Sequence, residues 1–472
     1  MYSIYDQINN RKVLVYPERT TVDVKTTNSV VLTNEQIAST YFPEDIDVKP
    51  EIYFDKVEIG EGNYIYNGDN IEVLRTLPDN SVDSVVTDPP YGLKFMGKQW
   101  DYDVPSVELW KECYRVLKPG GYLLSFGSSR TYHRMAVKVE DAGFEIRDQI
   151  MWVYGSGFPK SHNVGLSIDK LLGHPDRGHR IATASRTHPD GTFEPNGEKL
   201  LPYETKSEEA KPFEGFGTAL KPAHEPIVMA RKPFKESVAK NVLKWNTGGI
   251  NIDGCRIGEE LITTNGYGSS GFVASENYKP SSHIGRFPAN IIFDEEAREI
   301  LDEQSGNLKS GKLKNTHKRH TNGSPNGIYG KFNPEHPLSE TYGDEGGASR
   351  FFYCAKANKA EREEGLTAEP IQIKGRDDGQ DNRNVPQKLR NTNRKNTHTT
   401  VKPLKLMQYL IRLVTPKGGV TIDPYFGSGS SGKSTIREGN YKFLGIEKEK
   451  EYFNIAVERC QFENEQSLKV AA

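Results

Sequence analysis

A chain of 472 residues is too long for one ordinary core and indicates two or three structural units. Its formal net charge of −2 excludes a uniformly basic surface, so contact with a polyanion has to come from local clusters. No apolar run approaches a membrane span, and Met1-Tyr-Ser-Ile-Tyr-Asp-Gln has neither a basic nor an apolar leader character, so a cytoplasmic location without membrane contact is expected.

Residues 1–50 show short β-like runs, Val13-Leu14-Val15 and Val30-Val31-Leu32, and no chemistry-bearing motif. Tyr64-Ile65-Tyr66 reads as a strand closed by the turn Asn67-Gly68-Asp69. As a sequence feature, Asp69 suits a helix N-cap as well as it suits a ligand contact. Ser81 to Thr87 has the β-branched character of a buried strand, and Asp88 stands at its carboxyl end, where open α/β sheets bind ligands. Pro89 and Pro90 fix the backbone after it, and Tyr91 adds an aromatic face. A carboxylate and a rigid carbonyl can each accept one N–H of a planar amine, drawing the nitrogen lone pair out of conjugation, while an aromatic ring stacks on the base carrying it. The bland reading of Asp-Pro-Pro-Tyr is a tight surface turn.

Gly121 to Phe126 and Gln149 to Val153 read as further buried strands. From 161 to 398 the chain is rich in Gly, Pro, Asn and charge. Lys309, Lys312, Lys314, Lys318 and Arg319 form one basic cluster, and Arg383, Lys388, Arg390, Arg394 and Lys395 form another. Interleaved Asn, Thr and His suit them to phosphate and base edges, so Lys314, Lys318, Arg319, Arg390, Arg394 and Lys395 are candidate nucleic-acid contacts; a solvated loop is the alternative.

Thr400-Val401-Lys402-Pro403 leads a helix with Leu404, Met407, Leu410, Ile411 and Val414 on one apolar face. Next comes the short strand Gly419 to Ile422, then Asp423-Pro424-Tyr425-Phe426-Gly427-Ser428-Gly429, and then a predicted helix from Ser431 to Glu438. Strand, glycine turn and helix form a nucleotide-type binding unit, and Glu447 closes the next strand about twenty residues on, where an acid can accept ribose hydroxyls. Gly427 to Ser434 also satisfies the P-loop pattern, with Lys433 as the phosphate-binding lysine. This NTPase reading is the remoter alternative, since it has no use for the Asp-Pro doublet, Glu447 or the Asp88 turn.

The Asp88 clamp and the Gly427 loop together resemble the DNA amino-methyltransferases, and their order along the chain resembles the permuted beta class of that family. The resemblance implies an α/β fold: a Rossmann-like methyltransferase sheet, circularly permuted, with a large inserted target-recognition region. It implies S-adenosyl-L-methionine (SAM) as cofactor, no metal, and double-stranded DNA whose target base is flipped out. A cognate restriction enzyme is a possible companion. Asp88, Pro89, Pro90 and Tyr91 fall at the catalytic motif. Asp423, Pro424, Phe426, Gly427, Ser428, Gly429 and Glu447 fall at the cofactor motif, with Asp69, Thr400 and Lys402 as further cofactor contacts. Tyr425 departs from the family's usual phenylalanine. Leu220 to Ile227 and Ala348 to Lys356 resemble segments of methylases from phages and mobile elements. Four divisions are expected: 1–50, an appendage; 51–160, with the clamp; 161–398, for recognition; and 399–472, for SAM. Asp at the first clamp position goes more often with adenine N6, with cytosine N4 the alternative. None of Cys113, Cys255, Cys354 and Cys460 follows a proline, which argues against carbon methylation. A catalytically silent DNA-binding subunit is the alternative of a different class.

Overall fold

In the computed structural model, the β-branched runs on either side of the clamp and the glycine loop lie side by side in one ten-stranded sheet. The structure describes residues 2–6, 11–15, 22–24, 51–52, 54–93, 102–157, 161–174, 180–182, 186–187, 193–194, 198–200, 204–264, 281–309, 344–355, 360–374 and 391–471. They divide into two units, residues 1–153 with 225–472, and residues 154–224.

The large sheet comprises β1 (Asp55–Glu58), β2 (Tyr64–Asn67), β3 (Val82–Thr87), β4 (Leu117–Phe126), β5 (Glu145–Val153), β6 (His224–Arg231), β7 (Ile291–Asp294), β8 (Tyr353–Ala355), β9 (Val420–Asp423) and β10 (Lys442–Glu447). Their spatial order is β8-β7-β5-β6-β4-β3-β9-β10-β2-β1. β4, β3, β9, β10 and β2 run parallel to one another. β6 is antiparallel to β4, and β1 is antiparallel to β2. The late strands β9 and β10 thus sit between the early strands β3 and β2, which is the permuted order.

β3 is buried along its whole length. Successive side chains alternate between faces: Val85, Leu123 and Val228 join a core with Leu74, Leu109, Trp110 and Met135. Their neighbours Val86, Leu124 and Met229 join a second core with Leu406, Leu410 and Ile411. Two covered faces explain why these strands read as continuous apolar runs. The helix Leu404–Val414 buries Leu404, Met407, Leu410, Ile411 and Val414, the face expected from their spacing.

The stretch from 161 to 398 contributes more than loops. Leu220 to Ile227 leads into β6, and Ala348 to Lys356 contains β8, so both belong in part to the sheet. The apolar runs of β6 and β7, Ile227 to Ala230 and Ile291 to Phe293, are short enough to be lost among polar neighbours.

In the unit 154–224, the buried Asp169 on the helix Val164–Leu171 accepts the Lys206 and Ser207 N–H groups and the Ser207 hydroxyl. At the chain start, Tyr2–Asp6 pairs antiparallel with Arg11–Val15 and with Glu51–Ile52. Val30 to Leu32 lies outside the described residues.

Candidate active site

Four adjacent parallel strands end on the same edge of the sheet. β3 leads to Asp88, β9 ends in Asp423, β10 ends in Glu447, and β2 leads to Asp69. Carboxyl ends of parallel strands beside a change in strand order are where such sheets form a crevice.

At the clamp, the Tyr91 hydroxyl lies 2.7 Å from Asp88 Oδ1 and 2.9 Å from Glu225 Oε2. The Thr131 hydroxyl donates to the Tyr91 carbonyl at 2.7 Å and holds the turn after Pro89-Pro90. Lys402 Nζ donates to Asp88 Oδ2 at 2.5 Å and stands 3.3 Å from Glu225 Oε2. Burial pushes the Tyr91 phenol well above its ordinary range, and the Asp88 and Glu225 charges push it further. Burial alone would lower the Lys402 ammonium, but the same two carboxylates outweigh it and raise it. Lys402, expected beside the cofactor, therefore belongs to the clamp. Thr400 is exposed. Glu225 was assigned no role from the sequence, although it lies within the Leu220 to Ile227 segment singled out there.

The glycine turn is built from inside. Asp423 accepts the Thr87 hydroxyl at 2.6 Å, the Ser431 hydroxyl at 2.6 Å and the Tyr425 N–H at 3.0 Å. Its carboxylate shapes the turn from behind. Pro424 offers its carbonyl to the Asn70 amide at 3.1 Å. Phe426, expected at the cofactor, turns its ring into a core with Ile59, Ile65 and Ile436 and stacks on Phe443 at 5.5 Å. The reason is room: Gly432 and Gly445 leave space for that ring, and a Cβ on either would come within 2.5 Å of it. Gly427 at φ +55° and Gly429 at φ +79° carry the left-handed backbone that lets the chain reverse into the helix Ser430–Glu438. The Gly427 N–H donates to Glu447 Oε2 at 2.7 Å, tying the loop to the end of β10. Ser428 is fixed from below by the buried Arg459, whose guanidinium lies 3.1 Å from its hydroxyl. His398 lies over Gly427, and its Nδ1, like Ser430 Oγ, is buried with no hydrogen-bond partner among the described residues. Burial lowers the His398 imidazole to about 4, so it is neutral at pH 7. Asp69 accepts the Ile71 N–H at 3.1 Å as the N-cap of the helix Asn70–Thr76, and Lys448 approaches its other oxygen at 3.3 Å.

Burial raises Asp423 to about 6 and Glu447 to about 7. Both folded values exceed those of an unfolded chain, near 4, so between about pH 4 and 7 the folded state binds more protons. Stability is therefore expected to fall as pH rises through this window and to level off above it. Glu447→Gln should remove the upper part of that slope in thermal unfolding followed against pH. An unchanged slope would contradict the assignment of the group.

Lys433 separates the two claimants for the glycine loop. In a P-loop its ammonium would turn back to the nucleotide phosphates. Here Lys433 is fully buried and pairs with Glu364 at 2.7 Å and Glu463 at 3.4 Å, on segments packed behind the helix. Its side chain is committed to the core, which overturns the NTPase alternative. The substitution Lys433→Ala should destabilise the fold by about 2 kcal/mol, because it empties a fully buried side-chain site and removes one of the two cations paired with Glu463, which keeps Arg437 at 2.7 Å. Chemical denaturation measures this, and a loss below about 0.5 kcal/mol would contradict it.

Of the basic clusters, Lys314, Lys318, Arg319 and Arg390 lie outside the described residues. Arg394 is half-buried at the end of the strand Asn391–Arg394. Lys395 is turned inward: its ammonium donates to the Leu366 carbonyl at 3.1 Å, which occupies it structurally.

A glycine turn beside a carboxylate clamp, at the switch point of a permuted parallel sheet, defines a Rossmann-like α/β protein with two adjoining subsites. A family model described as DNA methylase, of the N6/N4 group, matches residues 82–458, and the chain belongs to that family. The type II methyltransferase M.BglII of Bacillus subtilis is 38% identical over 110 residues, 20% of this chain and 30% of that protein. M.HinfI of Haemophilus influenzae is 33% identical over 112 residues, 19% and 31% of the respective chains. The chain thus spans about a third of the length of these curated relatives. Among solved structures, the M1.HpyAVI–SAM complex matches with a TM-score of 0.32 at 16% identity, over 84% of this chain and 97% of that one. The cytosine-N4-specific PvuII DNA methyltransferase matches with a TM-score of 0.35 at 13% identity, over 87% and 97%.

Proposed function

We propose that this chain transfers a methyl group from SAM to the exocyclic amine of a flipped base in double-stranded DNA. Adenine N6 is the preferred target, and cytosine N4 is the alternative. The observation that carries the reading is the juxtaposition of the Asp88 clamp with the Gly427 turn on the neighbouring parallel strand. SAM supplies an activated methyl. The residues fit such a ligand: left-handed glycines admit it close to the backbone, and buried Ser430 and His398 atoms await a partner. Glu447 offers its remaining lone pairs to hydroxyls at the end of β10.

On the amine side, Asp88 and a carbonyl of the Pro89-Pro90 turn accept the two N–H groups and fix the nitrogen. Tyr91 lies beside the base. Asp88 at the first clamp position favours adenine over cytosine. The unit 154–224 and the parts of the stretch to 398 that lie outside the sheet serve target recognition, and a cognate restriction enzyme is a possible companion. Transfer of isotope-labelled methyl from SAM to duplex DNA by the purified chain tests the reading; SAM binding without transfer to any DNA would overturn it.

A further inference from the structure

Three segments far apart in sequence bring charged side chains to the Tyr91 hydroxyl: Asp88 after β3, Glu225 in β6, and Lys402 ahead of the helix Leu404–Val414. Charge decides what the third group does. The Lys402 ammonium, 2.5 Å from Asp88, cancels one carboxylate, so Asp88 and Lys402 alone would make a neutral clamp. A neutral clamp is poorly suited to an amine nitrogen that becomes positive as it is methylated. Glu225, 3.3 Å from the same ammonium and 2.9 Å from the Tyr91 hydroxyl, restores a net charge of about −1 in a largely buried site.

We propose that Glu225 is the second carboxylate of the clamp: it shares Lys402 and the Tyr91 hydroxyl with Asp88, so that the remaining lone pairs of Asp88 accept the amine N–H, and it leaves the site one negative charge. The assignment rests on the reading of the chain as an amine methyltransferase. In that reaction the nitrogen lone pair forms the new C–N bond, the electrons of the broken C–S bond stay on sulfur, and the N–H proton passes to Asp88 and then to water. Glu225 touches Lys402 and Tyr91 and not the amine, so it is a positioning residue. It also belongs to a strand that neither motif contains, which places part of the clamp in the antiparallel neighbour of β4.

The test compares Glu225→Gln, Lys402→Met and their combination, in single-turnover methyl transfer at saturating SAM, with SAM affinity from calorimetry. Glu225→Gln is expected to slow transfer about 10- to 100-fold with SAM affinity within about twofold of the parent. Adding Lys402→Met to Glu225→Gln should then raise the rate by about fivefold or more, because one unopposed carboxylate, Asp88, is restored. Glu225→Asp, which keeps the charge, should retain more than about half the rate. A structural ion pair would give no such rescue. Equal fold-losses from Glu225→Gln in both Lys402 backgrounds, or a loss of SAM binding that accounts for the slower rate, would overturn the assignment while leaving the methyltransferase reading standing. A parent chain that binds SAM and DNA and transfers nothing would remove that reading and this assignment with it.

Discussion

Asp88→Ala is expected to abolish methyl transfer while leaving SAM affinity within about threefold of the parent. The carboxylate sits at the end of β3, whereas the glycine turn, Asp423 and Glu447 belong to β9 and β10. Removing it does not strand its partners, since Lys402 and the Tyr91 hydroxyl both keep Glu225. The fold should therefore survive. What is lost is the acceptor that fixes the amine, a charged hydrogen bond of about 1.5–3 kcal/mol in ordinary stability terms. In the transition state, where nitrogen becomes positive, the loss is larger, at least about 1,000-fold in rate. Calorimetry with SAM beside a labelled-methyl assay reads both sides, and an active Asp88→Ala chain would contradict the catalytic role.

Gly427→Val should produce the opposite pattern, with SAM binding weakened at least about 100-fold and transfer lost as a consequence. At φ +55° a side chain costs about 1–2 kcal/mol in backbone strain, and more when β-branched. A Cβ there would also stand 2.8 Å from His398 Nε2, in the space between loop and imidazole. The Gly427 N–H is tied to Glu447, so displacing the turn disturbs the acid at the end of β10 as well. Gly427→Ala, with the same backbone demand and less bulk, should lose less affinity and still unfold cooperatively in denaturant. Retained SAM binding in both variants would remove the loop from the cofactor site.

Both ends of the site could be read from the sequence, because each is a local pattern with a mechanical reason. A β-branched run followed by Asp-Pro-Pro marks a strand end with a stiff turn, and Gly427 and Gly429 mark a turn that only glycine tolerates. The helix Leu404–Val414 was visible in its apolar spacing. The direction in which side chains point was less visible. Phe426 and Gly427 are neighbours, yet the ring fills the core under the loop while the backbone faces the crevice. Lys433 matches a phosphate-binding pattern, and only the distant acids Glu364 and Glu463 show that its ammonium is buried. Glu225 and Lys402 acquire their meaning from a contact across 177 residues of sequence (402 minus 225), which no local pattern encodes. β6 to β8 were hidden for a simpler reason: strands of three to eight residues in polar surroundings carry too few apolar positions to stand out.

The central claim, methyl transfer to an exocyclic amine of DNA, is tested most directly by mass spectrometry of nucleosides from duplex DNA incubated with the purified chain and SAM bearing a deuterated methyl. The account predicts deuterated N6-methyladenine and no labelled C5-methylcytosine. Labelled N4-methylcytosine alone would keep the clamp chemistry and change the base. Labelled C5-methylcytosine alone, or DNA without any labelled base, would contradict the account.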